Sequence, residues 1–124
     1  MPEDAEFSAL DAEARRELKG LSKPLAEIVG KHLVAAGTLI DEEPERALEH
    51  ARYARSRAPR VGLVREAAGL TAYHAGEWAE ALGELRAARR MSGGNTHLAV
   101  MADCERALGR PERALELAIG RAHV

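Results

Sequence analysis

Five histidines, one cysteine and a few acidic residues carry whatever chemistry this 124-residue chain can perform. His32, His50, His74, His97 and His123 stand far apart, and none has a second histidine at the i, i+4 spacing that lets one helix present two imidazoles to a metal ion. Cys104 would need a neighbouring base to become a nucleophile, and on an Ala-rich helix it reads as a small packing residue. Glu66, His74 and Asp103 could bring an acid and an imidazole onto one face, but such a mixture also suits a peptide groove. No G-x-S-x-G, phosphate-binding loop, H-E-x-x-H, C-x-x-C or G-x-G-x-x-G is present. The expectation is therefore a protein without catalytic residues, metal or cofactor.

Composition narrows what could position these groups. Apolar residues make up 46% of the chain and charged residues 31%, enough to bury one core and too short for two. Ala alone supplies 25 residues, whereas Phe, Tyr and Trp together supply four and Val, Ile and Thr only 12. A sheet would use more β-branched and aromatic side chains, so the chain reads as all-α with closely packed helices. Eighteen basic residues against 20 acidic ones give a net charge of −2, which leaves nucleic-acid binding to a local patch. A single cysteine excludes an internal disulfide, and the charged first twenty residues carry neither signal peptide nor membrane span. The expected location is the cytoplasm, with no membrane partner.

The elements repeat. Pro44-Glu45-Arg46-Ala47-Leu48-Glu49 returns 67 residues later as Pro111-Glu112-Arg113-Ala114-Leu115-Glu116. The Ala-Leu step also occurs at Ala81, so the marker recurs at intervals of 34 and 33; Ala35, Gly69 and Ala102 keep the same rhythm upstream. Each copy thus pairs a first helix with a second across a polar break. Pro44 and Pro111 suit a first helical turn, and Gly76 and Gly109 suit a helix end. Ser22 is a suitable N-cap, with Pro24 just inside the next helix. The pattern predicts helices at 11–19, 23–40, 44–57, 61–75, 78–91, 95–108 and 111–122.

This pattern resembles the tetratricopeptide repeat, a helix-turn-helix unit with small residues at both helix crossings, and at closer range the chain is similar to actinobacterial members of that family without an assigned activity. Ala35, Gly69 and Ala102 match the family's first-helix glycine, and Ala47, Ala81 and Ala114 its second-helix alanine. Ala51, Leu85 and Ala118 take the following aromatic position, and Pro59 the closing proline. The first-helix tryptophan position differs, holding Lys31, Arg65 and Leu98; its tyrosine position holds Thr38, Ala72 and Glu105. The resemblance implies a helical-hairpin solenoid, a right-handed superhelix of about three repeats (28–61, 62–94 and 95–122) after an N-terminal extension, 1–27, with one helix.

It also implies a concave face built by the first helices. In this register the face takes Val29, His32, Leu33, Ala36 and Leu39 from the first copy. The second gives Leu63, Glu66, Ala67, Leu70, Tyr73 and His74, and the third Thr96, Ala99, Val100, Asp103 and Arg106. Chaperone-binding relatives clamp a terminal carboxylate with a Lys and two Asn, whereas the matching places hold His32, Ala36 and Ala67. The expected role is a non-enzymatic scaffold that holds a protein or peptide on this face, with Leu70 and Tyr73 partly accessible and Leu82 and Leu85 buried. Trp78 is expected to anchor the central hairpin. Two rivals stand beside this reading. Arg52 and Arg55 recur as Arg86 and Arg89, joined by Arg57 and Arg90, and would align into an outer stripe for an acidic protein or RNA. With few aromatics for base stacking, nucleic acid is the less favoured partner. The other rival is self-association: no polar capping helix follows the third copy, so a homodimer through the C-terminal repeat would cover its apolar face.

Overall fold

The computed structural model describes residues 10–119, and within them the chain is all-helical. Helix α1 spans Ala12–Glu17, α2 Lys23–Leu39, α3 Pro44–Arg57, α4 Gly62–His74, α5 Trp78–Ser92, α6 Leu98–Ala107 and α7 Pro111–Ala118. The part of the predicted last helix beyond 119 and His123 lie outside the described residues. Helices α2 and α3, α4 and α5, and α6 and α7 pack as hairpins, and each hairpin meets the next through α3 on α4 and α5 on α6.

Local chemistry sets the helix ends. The Asp11 carboxylate accepts a hydrogen bond from the Ala14 N–H at 2.8 Å, and Ser22 Oγ accepts one from Leu25 N–H at 3.4 Å. Pro24, Pro44 and Pro111 occupy first turns, where a missing N–H removes no helical bond. Two of the three hairpin turns share one geometry. Gly76 and Gly109 take φ of 78° and 77°, and the following N–H groups reach back to Ala72 O and Glu105 O, both at 2.8 Å. Only a residue without Cβ adopts that left-handed step at no steric cost. The first turn, at Asp41–Glu43, has no glycine and closes instead through Glu43 N–H to Leu39 O at 2.8 Å.

Small residues then decide how closely the helices approach. Ala35, Ala47 and Ala81 are fully buried, Ala102 and Ala114 are 1% exposed, and Gly69 is buried. A Cβ on Gly69 would lie 2.7 Å from Leu85 Cγ and Cδ2 and 3.2 Å from its backbone nitrogen, so α4 presses on α5 with no space for a methyl group. The larger apolar residues around these crossings form two clusters. One joins Leu48, Leu82, Leu85, Met101 and Leu117; the other joins Leu18, Val29, Leu33 and Val64. Through Leu18 the short α1 belongs to the second cluster, and its Glu17 carboxylate accepts the Leu63 N–H at 3.1 Å, capping the uncapped start of α4.

Candidate functional site

The first helices of successive hairpins, α2, α4 and α6, carry the expected groove residues, and the structure separates these into three groups. Leu70 and Tyr73 are half-buried on α4, while Leu82 and Leu85 on α5 are buried, each 2% exposed. Ala99 and Arg106 on α6 and His74 at the end of α4 are exposed; Glu66, Asp103 and His32 are intermediate. Leu39 and Leu63 are also intermediate, with Leu63 packed against the N-terminal cluster.

Four groove assignments need correction. Ala36 is 2% exposed and packs with Ala51 and Ala68, so it joins hairpins one and two rather than facing a ligand. The same holds for Val29 and Leu33, which are core residues. Thr96 is exposed, but it precedes α6 instead of standing on it. The helix starts at Leu98; in the segment before it Gly93 takes φ 73° and Arg89 Nη2 donates to Asn95 Oδ1 at 2.9 Å.

Across α4 and α6 the groove residues meet directly. Tyr73 Oη donates to Asp103 Oδ2 at 2.7 Å, and Arg106 donates to the other Asp103 oxygen. These bonds hold the Asp103 carboxyl below its ordinary value, the Tyr73 contribution being the larger, and the same bond raises the Tyr73 phenol. The Tyr73 ring also meets His74 and Trp78 edge-on, at centroid distances of 5.7 and 5.8 Å. Trp78 remains 36% exposed, so it flanks Tyr73 at the surface instead of filling the hairpin as expected. Glu66 lies 3.5 Å from His97 Nε2. Asp103 and His74 thus share Tyr73 as a neighbour, while Glu66 pairs with the His97 imidazole instead of with His74 or Asp103.

The arginine stripe is not a free cationic surface. Arg52 on α3 donates both Nε and Nη2 to the Glu80 carboxylate of α5, at 2.9 and 2.6 Å. Arg55 reaches Glu84 at 2.8 Å, and Arg65 reaches the other Glu84 oxygen at 2.7 Å. Arg86 binds Glu105 at 3.0 Å, and Arg110 lies 2.7 Å from the same carboxylate. Glu84 and Glu105 are 5% and 1% exposed, so Arg55, Arg65, Arg86 and Arg110 neutralise buried carboxylates, Arg55 and Arg86 reaching them from the neighbouring hairpin. Where the expectation placed a free stripe, Arg52, Arg55 and Arg86 thus lie against carboxylates of other helices, and Arg89 against Asn95.

Sequence reasoning missed one contact altogether. His32 on α2 and His50 on α3 stand with their Nδ1 atoms 2.9 Å apart, one donating and the other accepting. Burial is the main cause lowering both imidazoles from the ordinary 6.5. Cys104 is fully buried, and burial, with Asp103 and Glu105 adding to it, pushes its thiol up to about 11. No group of three or more His, Cys, Asp or Glu gathers around a point among the described residues, and no described helix is long and apolar enough to cross a membrane. No protein-family profile, no curated protein and no solved structure matches the chain.

Proposed function

We propose that this chain is a cytoplasmic, non-enzymatic interaction module of the tetratricopeptide type, a three-repeat solenoid that holds a peptide against α4 and α6. The observation carrying the reading is the continuity of that face: the Tyr73–Asp103 bond joins two successive first helices, with Leu70 beside Tyr73 and the exposed Ala99 and Arg106 beside Asp103. Such a surface offers an aromatic and aliphatic seat, a carboxylate acceptor and a guanidinium donor in fixed order, and its rigid helices lower the ordering cost of binding. The repeat reading is supported by the marker residues, since all six small residues at the two spacings are buried.

Ala99→Arg places a large cation on an exposed position and leaves the core alone. Affinity capture from the native cytoplasm with the wild-type chain and with Ala99→Arg, each checked by circular dichroism, tests the proposal. Capture of a defined partner by the wild type and its loss in the folded variant is the expected result. Equal capture by both would move the binding surface elsewhere.

A second reading has its own observation. Leu115 on α7 and Ile119 just after it are 62% and 54% exposed, and Ile119 lines a shallow groove with Ala99, Asp103, Arg106 and Leu117. Exposed aliphatic residues so close together favour self-association through this hairpin. Light scattering over a range of concentrations, with Leu115→Glu and Ile119→Glu as controls, separates it from peptide capture.

A further inference from the structure

The geometry of the α2/α3 hairpin points to a metal site: we propose that His32 Nδ1 and His50 Nδ1 chelate a divalent transition-metal ion of tetragonal preference, copper(II) foremost. Two nitrogens bound about 2.0 to 2.1 Å from an ion and about 90° apart lie roughly 2.9 Å from each other, whereas a tetrahedral angle spreads them to about 3.3 Å. The observed separation is 2.9 Å. That separation is also an ordinary hydrogen-bond length, so it sets the two nitrogens within chelating reach without selecting a geometry, and copper(II) is put first because it binds nitrogen donors most tightly among first-row divalent ions.

Three further features suit the pair to this role. First, the rings are held before any ion arrives. Tyr53 packs on His32 with centroids 4.4 Å apart, and Arg57 Nη1 donates to the Tyr53 phenol oxygen at 2.8 Å. Second, the direct contact requires at least one of the two Nδ1 atoms to be free of a proton, so one nitrogen lone pair already stands at the site. Third, both side chains are only half-buried, so water can fill the remaining coordination positions.

Binding requires no redox change. The ring that carries its proton on Nδ1 takes the Nε2–H tautomer by exchange with water, and two nitrogen lone pairs then form coordinate bonds to the ion. Its consequence is a staple between α2 and α3, because the ligands come from different helices and an unfolded chain does not hold them together.

The test uses the full chain freed of metal by a chelator and exchanged into chelator-free buffer at pH 7.5. Copper(II) is titrated in, with electron paramagnetic resonance and thermal melts as readouts. One ion per chain, a tetragonal spectrum with coupling to two nitrogens and a raised melting temperature that chelator reverses are expected. His32→Gln and His50→Gln should each lower the apparent affinity by about tenfold or more, while His74→Gln, at an exposed position on α4, should leave it unchanged. Circular dichroism establishes that each variant is folded; should His50→Gln not fold, His50→Asn or His32→Asn replaces it. Absence of binding, or binding equal to wild type in folded variants of both His32 and His50, overturns the proposal.

Discussion

Replacing Gly69 by alanine should destabilise the chain even though alanine is the better helix former. Alanine in a helix interior gains about 0.5 to 1 kcal/mol over glycine, mostly from backbone entropy. At Gly69 the new methyl meets Leu85 Cγ and Cδ2 at 2.7 Å, and Leu85 has little room to yield, being 2% exposed inside the central cluster. Its backbone nitrogen, 3.2 Å away, means that α5 itself must shift as well. Overpacking of this kind costs about 1 to 3 kcal/mol, so the net effect is a loss of up to about 2.5 kcal/mol, centred a little above 1. For a chain of this size that lowers the melting temperature by roughly 2 to 10 °C. Gly37 and Gly83 supply the controls. Both lie inside helices, are exposed, and would place a Cβ with nothing within 4 Å. Gly37→Ala and Gly83→Ala should therefore each stabilise by about 0.5 to 1 kcal/mol. Urea and thermal unfolding followed by circular dichroism measure all three. A Gly69→Ala chain as stable as wild type or more so would refute the close crossing of α4 and α5.

Three further outcomes follow from the buried groups. Removing Arg55 and Arg65 together strands the Glu84 carboxylate and should cost about 3 to 5 kcal/mol in urea unfolding, well beyond the cost of Glu84→Leu, which removes the buried charge itself. Arg52, chiefly through its hydrogen bond, holds the Glu80 carboxyl below the ordinary 4.5, so the folded chain binds fewer protons there than the unfolded chain. The stability this contributes is complete above about pH 4.5 and is lost as pH falls through the lowered value, so Glu80→Gln should flatten the acid limb of a melting-temperature profile. Cys104, fully buried with its thiol pushed up to about 11, should resist a disulfide reagent at pH 8 in the native chain and react as urea opens it. Rapid labelling without denaturant would contradict its burial.

Helix positions were legible because their signals are local. Prolines in first turns, glycines at helix ends and small residues at two fixed spacings each follow from backbone sterics, and six of the seven helices begin within one residue of expectation. Helix α6 does not: it begins at Leu98, three residues later than expected, after an N-cap, His97, that makes no side-chain capping bond and so leaves little local signal. Ala36 illustrates a different difficulty. A small apolar residue serves equally well as a groove wall or as a contact between hairpins, and only the rotation of one hairpin against the next makes it the latter, beside Ala51 and Ala68.

Charges were harder to read for the same reason. The recurrence of Arg52 as Arg86 is visible in the sequence, but their partners do not recur: Arg52 meets Glu80 on α5, whereas Arg86 meets Glu105 on α6. Periodicity predicts where equivalent residues lie, and it is silent on which carboxylate the packing brings to each. The histidine pair, by contrast, carried a usable signal. In an antiparallel hairpin, residues equally far from the turn come together. His32 precedes the marker Ala35 by three residues, and His50 follows the marker Ala47 by three, so the hairpin register sets one imidazole opposite the other. A search for metal-ligand spacing along a single helix passes over such a pair. Applied to helical hairpins, the mirror spacing about the turn is the more informative test, and the 2.9 Å approach of His32 to His50 is what it would have found.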